Sequence, residues 1–297
     1  MTTWYRRPSI GLALGGGGAR GLAHIGVLKV FQSEGIPIDC IAGTSMGGLI
    51  ACLYAAGISP TNLEKEAINL SRFSRLIKLL NPTPPRRGLL SAERIKEYLE
   101  NLVGYDKKIE ELKIPLSVVS VDLKTRKEVL IQSGSVIDAI LATTCVPGIF
   151  SPIERENALM IDGGILNNVP ADVVRRIGAE VVIAVDVNYV FDENKEWGQM
   201  AASSTLSKIL PDFAIDIYQA VIIMTSAITE EKLRKAKPDF ILHPQIPPDV
   251  NIFFGFTHAR NSILAGEDIA RRLLPDIQRA LKPRFRKPGK LHLIDQS

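Results

Sequence analysis

A serine stands between two glycines directly after an apolar run, in the segment IAGTSMGGLI at residues 41–50. The spacing Gly43-Thr44-Ser45-Met46-Gly47 matches G-x-S-x-G, in which a strand turns sharply into a helix and exposes the serine at the bend. A Cβ at either glycine would collide with elements that must approach closely. The pattern makes Ser45 a candidate nucleophile, although five-residue matches also occur in ordinary strand-to-helix loops.

A second glycine-rich segment, GGGGARG at residues 15–21, follows an apolar run and precedes a predicted helix. Successive glycines allow backbone N–H groups to converge into an anion site at a helix N-terminus. The dinucleotide pattern G-x-G-x-x-G is matched by Gly16, Gly18 and Gly21, but that fingerprint also needs an acidic residue at the end of the next strand. A P-loop is not indicated, because no Gly-Lys-Ser/Thr follows. Beside Ser45, the loop would suit an oxyanion hole for acyl transfer.

A serine nucleophile needs a proton acceptor, which is usually a histidine. The four histidines have no distinctive context: they are His24, His243, His258 and His292. A carboxylate is the alternative, since Asp162 closes a predicted strand and precedes Gly163 and Gly164. An Asp-Gly pair is typical of a turn, yet parallel sheets place their sites at the carboxyl ends of strands. Asp122 and Asp186 also end strands, and we interpret them as structural.

Apolar runs rich in Val and Ile predict the scaffold that positions these residues. Strands are predicted at 9–15, 38–44, 115–123, 128–133, 158–164, 180–187 and 240–244. Helical patterns lie between them at 20–34, 46–56, 60–70, 91–102, 135–142 and 171–177. This alternation predicts a three-layer α/β/α sandwich with a mainly parallel central sheet. The segment DLKTRKE between two extended runs predicts a hairpin, which would make the sheet mixed.

The composition indicates a sizeable core and a localised basic end. With 297 residues and 46% apolar content, we expect a single α/β domain over 1–297. Its core spans about 10–187, and a helical cover with a basic tail spans about 188–297. The net charge is +4, but RALKPRFRKPGK at 279–290 supplies six basic residues and no acid. Such a run is a solvated end or a peripheral contact with an anionic membrane, and nothing indicates a nucleic-acid platform.

Cysteine usage and hydropathy indicate the compartment. Three cysteines in apolar contexts without C-x-x-C spacing favour buried thiols, a reducing compartment and no zinc site; they are Cys40, Cys52 and Cys145. The first apolar run stops at the glycine segment, too short for a secretory signal. The apolar stretch from Phe213 carries Asp216 and falls short of a bilayer span. We expect a cytoplasmic protein, or one peripheral on the inner membrane face.

With GGGGARG, GTSMG and DGG in this order, the sequence resembles patatin-like phospholipases, of the bacterial kind similar to the catalytic domain of neuropathy target esterase. The resemblance runs from about residue 10 to 186 and includes SVDLKT around Asp122 and ATTCVPGIFSP at 142–152. It implies a patatin-like fold and a serine hydrolase for the acyl esters of phospholipids or lysophospholipids. It implies no cofactor and no metal.

Carried onto matching positions, the resemblance implies a Ser-Asp dyad without histidine, with Ser45 as nucleophile and Asp162 as proton acceptor. The implied oxyanion loop comprises Gly16, Gly17, Gly18, Ala19, Arg20 and Gly21. Cys145 departs from the family, which commonly has a small residue such as alanine there. Because a free aspartate is a poor base in water, the dyad requires a dry site. Arg20 either holds the glycine loop through a salt bridge or meets a lipid phosphate.

Two other functions fit part of the sequence. An α/β-hydrolase with a Ser-His-Asp triad explains Ser45, but such chains usually have several strands ahead of the nucleophile. A catalytically idle lipid-binding or adaptor protein would use the basic tail and NIFFGF at 251–256 as contact surfaces. In that segment a core or pocket role is favoured over membrane contact for Phe253, Phe254 and Phe256.

Overall fold

The computed structural model describes residues 4–71, 81–82, 88–188, 212–247, 250 and 255–286. Its strands are β1 (Trp4–Arg6), β2 (Ile10–Leu14), β3 (Cys40–Thr44), β4 (Asn81–Pro82), β5 (Gly88–Ser91), β6 (Leu116–Asp122), β7 (Lys127–Ile131), β8 (Gly148–Phe150), β9 (Ile153–Arg155), β10 (Ala158–Asp162), β11 (Val181–Val185), β12 (Phe240–Leu242) and β13 (Arg284–Arg286). Its α-helices are α1 (Ala23–Ser33), α2 (Met46–Ala55), α3 (Pro60–Leu70), α4 (Glu93–Val103), α5 (Val136–Thr143), α6 (Ala171–Arg176), α7 (Asp212–Ala236) and α8 (Ala259–Ala280).

The central sheet has eight strands in the order β12-β11-β2-β3-β6-β10-β9, with β7 also paired to β6. From β12 to β6 each neighbouring pair is parallel. In contrast, β7 and β10 run antiparallel to β6, and β9 runs antiparallel to β10. The turn between β6 and β7 pairs Asp122 with Lys127, which confirms the predicted hairpin. The predicted α/β fold with a mainly parallel but mixed sheet is also confirmed.

Helices cover both faces of this sheet, and successive strand residues alternate between the two layers. Leu12 and Leu14 of β2 belong to the apolar cluster formed with α1, α2, α5 and α8. Ala13, between them, belongs to the cluster on the opposite face with α6 and α7. A strand buried on both sides places alternate side chains in the two layers. The predicted three-layer arrangement follows from this alternation.

Strands β3 and β10 meet end to end along one edge of β6. The parallel pairing of β3 places Thr44 opposite Val119, whereas the antiparallel pairing of β10 places Asp162 opposite Ser120. The other edge of β6 is occupied by β7. The carboxyl ends of β3 and β10 therefore face each other at adjacent positions of β6. The sequence placed Asp162 at the end of a strand without giving the direction of that strand, and β10 approaches along β6 from the direction opposite to β3.

Long helices follow the sheet core, as the change of pattern after about residue 188 predicts. Within the residues that the structure describes, no helix is long and apolar enough to cross a membrane. Phe256 is partly buried against the main apolar cluster, in line with the core interpretation. Phe253, Phe254 and the tail beyond residue 286 lie outside the described residues. All three cysteines are buried free thiols, as predicted.

Candidate active site

Ser45 forms the bend between β3 and α2. Its backbone has φ 54° and ψ −126°, a left-handed conformation that costs free energy for a residue with a side chain. A Cβ on Gly43 would overlap the main chain of Gly47, and one on Gly47 would overlap the carbonyl oxygen of Leu14. The two glycines therefore allow β2, β3 and α2 to meet closely around the serine, which stays partly exposed.

Asp162 lies at the end of β10, close enough to the Ser45 side chain for a hydrogen-bonding interaction that lowers the pKa of the carboxyl group. Its side chain is buried, and Oδ1 accepts from the Gly164 N–H at 2.8 Å. Burial disfavours the ionised carboxylate and raises the pKa of Asp162 to about 6, while Ser45 and the Gly164 N–H act in the opposite direction. A carboxylate with a pKa near 6 accepts a proton more readily than an exposed aspartate does.

The glycine loop packs directly against Ser45 and Met46. A Cβ on Gly16 would lie 3.0 Å from Cβ of Ser45, and one on Gly21 would lie 2.5 Å from Cγ of Met46. A 3-10 turn covers Gly18–Leu22, and its first hydrogen bond runs from the Arg20 N–H to the Gly17 carbonyl at 3.1 Å. The N–H groups of Gly18 and Ala19 come before Arg20 in the turn, so they have no acceptor within it, as at the start of any helix.

Not every N–H group of this loop is available to a ligand. The Gly16 N–H donates to the carbonyl oxygen of Asn168 at 3.0 Å, and the Arg20 N–H is held within the turn. By contrast, Gly17 and Gly18 are partly exposed. An anion placed beside Ser45 would therefore meet the N–H groups at the start of the turn. The oxyanion role of the loop stays a prediction.

Asn168 ties the glycine loop to the segment that follows Asp162. Its side-chain amide donates to the Gly16 carbonyl at 3.2 Å, and its main-chain carbonyl accepts from the Gly16 N–H. A Cβ on Gly164 would lie 2.9 Å from Asn168 Oδ1, so the side chain fills the space between the two loops. Sequence reasoning selected Asp162 in this part of the chain and missed Asn168, six residues later.

Thr143, the last residue of α5, is a second residue that sequence reasoning missed. Its hydroxyl accepts a hydrogen bond from the Ser45 N–H at 2.8 Å and donates one to the Val119 carbonyl at 2.6 Å. The residue lies in the segment ATTCVPGIFSP at 142–152, which contributes to the family resemblance. No local pattern distinguishes it from the neighbouring Thr144, because its partners are distant in sequence.

Arg20 is buried, with 3% of its surface exposed. Its guanidinium donates to the carbonyl oxygens of Val187 at 2.7 Å, Val250 at 3.4 Å and Asn188 at 3.5 Å. These contacts connect the glycine loop to the segment after β11. They agree with a structural role for Arg20 in holding the glycine loop.

The described contacts of the histidines lie away from the serine hydroxyl. His24 is fully buried in α1 with Nε2 at 2.7 Å from the Gly15 carbonyl oxygen, and burial lowers its pKa to about 4. The imidazole is therefore neutral, and Nε2 donates its proton to that carbonyl. His243 lies beside Asp186, with 3.8 Å between Nδ1 and Oδ2. His258 precedes α8, and His292 lies outside the described residues.

The other aspartates at strand ends hold local turns. Asp122 accepts from the N–H groups of Leu159, Lys124 and Thr125, and these bonds, led by that of Leu159, lower its pKa to about 2. Asp186 accepts from the N–H and the side-chain amide of Asn188. Both patterns agree with the structural interpretation of these residues.

Cys145 lies next to the Asp162 carboxylate. Its carbonyl accepts the Asp162 N–H at 2.9 Å, and its thiol donates to the Ser151 carbonyl at 2.9 Å. Burial, and secondarily the charge of Asp162, raise the pKa of this thiol to about 12. The group is therefore a neutral wall of the site. Within the part of the chain that is described, no cluster of three or more His, Cys, Asp or Glu has the arrangement of a metal site.

Two known proteins illustrate what this chain is similar to in sequence. An uncharacterized NTE family protein of Mycobacterium tuberculosis is 38% identical over 183 residues, which cover 61% of this chain and 49% of that protein. Patatin-like phospholipase domain-containing protein 6 of Homo sapiens is 36% identical over 183 residues, covering 60% of this chain and 13% of that protein. The chain thus spans about half the length of the first relative and a small part of the second.

Among solved structures, VipD from Legionella pneumophila aligns over 96% of this chain and 69% of its own, with a TM-score of 0.48 and 13% identity. The profile of patatin-like phospholipases matches residues 12–175, which is more than half of the chain and includes both Ser45 and Asp162. The chain therefore belongs to the patatin-like phospholipase family.

Proposed function

We propose that the protein hydrolyses an acyl ester bond of a phospholipid or lysophospholipid through a Ser45-Asp162 dyad and an acyl-serine intermediate. The observation that carries the proposal is a strained, partly exposed serine after β3 next to a buried carboxylate at the end of β10. The family supplies the substrate class, because its members are named for lipid ester hydrolysis. A nucleophile near a base and beside the N–H groups at the start of a helical turn is the arrangement that acyl transfer requires.

In the acylation half, Asp162 accepts the proton of the Ser45 hydroxyl as Oγ attacks the ester carbonyl carbon. The carbonyl oxygen then carries negative charge, and the N–H groups of Gly18 and Ala19 are the donors best placed to stabilise it. Each such donor contributes on the order of 3 kcal/mol to the transition state. When the tetrahedral intermediate collapses, the C–O bond breaks and Asp162 returns the proton to the departing alcohol.

In the deacylation half, a water molecule takes the place of the alcohol. Asp162 accepts one of its protons while the hydroxide oxygen attacks the acyl-serine carbonyl, and the same N–H groups bind the oxyanion again. Collapse of this intermediate breaks the bond to Ser45 Oγ, which recovers its proton from Asp162. The products are a free fatty acid and the regenerated enzyme.

The test is lipid profiling with purified protein. Wild type and Ser45→Ala are incubated with phospholipids, lysophospholipids and neutral acyl esters, and fatty-acid release is measured by mass spectrometry. Wild type should release fatty acid from at least one lipid class, and Ser45→Ala should lose turnover by about 1000-fold or more. Asp186→Asn is the matched control, because it removes a strand-end carboxylate whose described contacts are with Asn188 and His243.

Three results would contradict the proposal. Turnover retained by Ser45→Ala would remove the nucleophile, and a wild-type serine unreactive toward a fluorophosphonate probe would favour the idle lipid-binding alternative. Loss of turnover on replacing one histidine, with full activity in Asp162→Asn, would favour the Ser-His-Asp alternative. His24 is buried, and its Nε2 is hydrogen-bonded to the Gly15 carbonyl, which argues against that residue as the base.

Contact with a lipid surface is part of this proposal, since the substrate is held in membranes or micelles. The basic run at 279–290 suits an anionic surface. Binding of the protein to vesicles with and without anionic lipid tests this role. Binding that does not depend on anionic lipid would leave the run as a solvated end.

A further inference from the structure

We propose that Thr143 is a positioning residue for the nucleophile, and that the carboxyl end of α5 fixes the placement of Ser45 relative to Asp162. This inference rests on the proposed function. Thr143 does not touch the reacting atoms in this scheme. It acts through the backbone of Ser45 and through the end of β6.

The Thr143 hydroxyl links Ser45 to Val119 at the place where the pairing of β3 with β6 ends. It accepts the Ser45 N–H at 2.8 Å and donates to the Val119 carbonyl at 2.6 Å. Thr44 is the last residue of β3 that pairs with β6, and its partner is Val119. Beyond this pair β3 leaves the sheet, so a side chain supplies the hydrogen bonds that a strand neighbour would otherwise supply.

The same short segment also holds Asp162. Two residues after Thr143, the Cys145 carbonyl accepts the Asp162 N–H at 2.9 Å. One residue before it, the Ala142 carbonyl lies 3.2 Å from the buried Ser120 hydroxyl. The same hydroxyl lies 2.6 Å from the Ile161 carbonyl, next to Asp162. Residues 142–145 therefore contact the nucleophile's backbone on one side and the backbone of the acid on the other.

A threonine suits this position because its hydroxyl forms hydrogen bonds and its methyl group packs against a neighbouring helix. Thr143 is fully buried, and its methyl group packs against Gly48 in the first turn of α2, where a Cβ would lie 2.8 Å from Cγ2. A backbone such as that of Ser45, with φ 54°, persists only where its surroundings determine it. The hydrogen bond to Thr143 is one such constraint, and loss of it would let Oγ move relative to Asp162.

The experiment compares three variants in hydrolysis of a soluble p-nitrophenyl acyl ester, with active sites counted by fluorophosphonate labelling. Thr143→Val keeps the shape and removes the hydroxyl, whereas Thr143→Ser keeps the hydroxyl. Thr144→Val is the matched control, because the Thr144 hydroxyl donates to the Ile140 carbonyl of α5 at 2.7 Å. Thermal unfolding of each variant is measured beside activity, and Thr143→Ala replaces Thr143→Val if the latter does not fold.

We expect kcat per labelled site to fall about 10-fold or more in Thr143→Val, with KM within about twofold of wild type. Thr143→Ser should recover kcat to within about threefold, and Thr144→Val should match wild type. A role in stability alone would lower the unfolding temperature and the number of labelled sites without changing kcat per site. That result would overturn the inference, as would equal losses of kcat in Thr143→Val and Thr143→Ser, or in Thr143→Val and Thr144→Val.

Ser45→Ala in the same series separates the two proposals. If Ser45→Ala keeps its turnover, the proposed function fails. If Ser45→Ala is inactive while Thr143→Val has the kcat of wild type, only the positioning role fails.

Discussion

Ser45 and Asp162 lie at the junction of two strands that run toward each other along one edge of β6. The last residues of these strands, Thr44 and Asp162, lie opposite Val119 and Ser120, which are consecutive in β6. This register brings the turn that carries Ser45 to the end of the strand that carries Asp162. The pair is also shielded from water on the side of Asp162, which sets the protonation behaviour of the site.

The first prediction concerns the pH dependence of turnover. A base must be ionised to accept a proton, and burial raises the pKa of Asp162 to about 6. We expect kcat/KM for a soluble ester to rise with pH through about 6 and to level off above about 7. The profile of wild type from pH 4.5 to 8 tests this. A midpoint near 4, typical of an exposed carboxylate, would contradict the assigned burial effect.

The second prediction concerns stability. Because the pKa of Asp162 is higher in the folded chain than in the unfolded one, its contribution to stability is present below pH 4 and is lost as pH rises through 6. The rise from 3.8 to about 6 corresponds to about 3 kcal/mol. Asp162→Asn removes this titration. We expect the variant to gain about 3 kcal/mol relative to wild type between pH 4 and 7.5.

Denaturant unfolding of both proteins at the two pH values measures that gain. Asp122→Asn is the control and should show almost no pH-dependent difference from wild type over this range, because hydrogen bonds lower the pKa of Asp122 to about 2. Its contribution to stability is present above pH 4 and is lost as pH falls through 2. A gain that is the same at both pH values for Asp162→Asn would show that the carboxylate is not destabilised by burial.

The third prediction concerns the close approach of the glycine loop to Ser45. In Gly16→Ala the new methyl group would overlap Asn168 Oδ1 and lie 3.0 Å from Cβ of Ser45. The loop must shift, and misplaced oxyanion donors should lower kcat by about 10- to 100-fold. Gly35→Ala is the control, because its methyl meets no atom within 4 Å and only the positive φ of 65° is strained. Steady-state kinetics should show normal kcat in the control and the loss in Gly16→Ala.

The fourth prediction concerns Arg20. Lysine keeps the charge but lacks the planar fork that reaches the carbonyls of Val187, Val250 and Asn188. We expect Arg20→Lys to lower the free energy of unfolding by about 1–3 kcal/mol. Its kcat should fall by the same factor on phospholipids and on phosphate-free esters. A loss confined to phosphate-containing substrates would instead assign the guanidinium to the headgroup.

Much of the fold could be predicted, because local apolar patterns indicate the alternation of strands and helices. The runs ending at Thr44, Asp122 and Asp162 became strands, and the DLKTRKE turn became a hairpin. The direction of β10 could not be predicted, because an apolar run of five residues does not specify whether its neighbour is parallel. Chain contacts far apart in sequence decide that direction.

For the candidate site, the sequence by itself determined which residues are candidates for the chemistry. Glycines at 43 and 47 identify Ser45, and the Asp-Gly-Gly turn identifies Asp162, since these needs are local: a tight bend, or a backbone that must approach another element. Only the tertiary structure decided that the two side chains meet, that Asn168 engages Gly16, and that Thr143 holds the Ser45 N–H. Those relations depend on the register of β3 and β10 along β6, and register is fixed by packing of distant segments rather than by any short stretch of sequence.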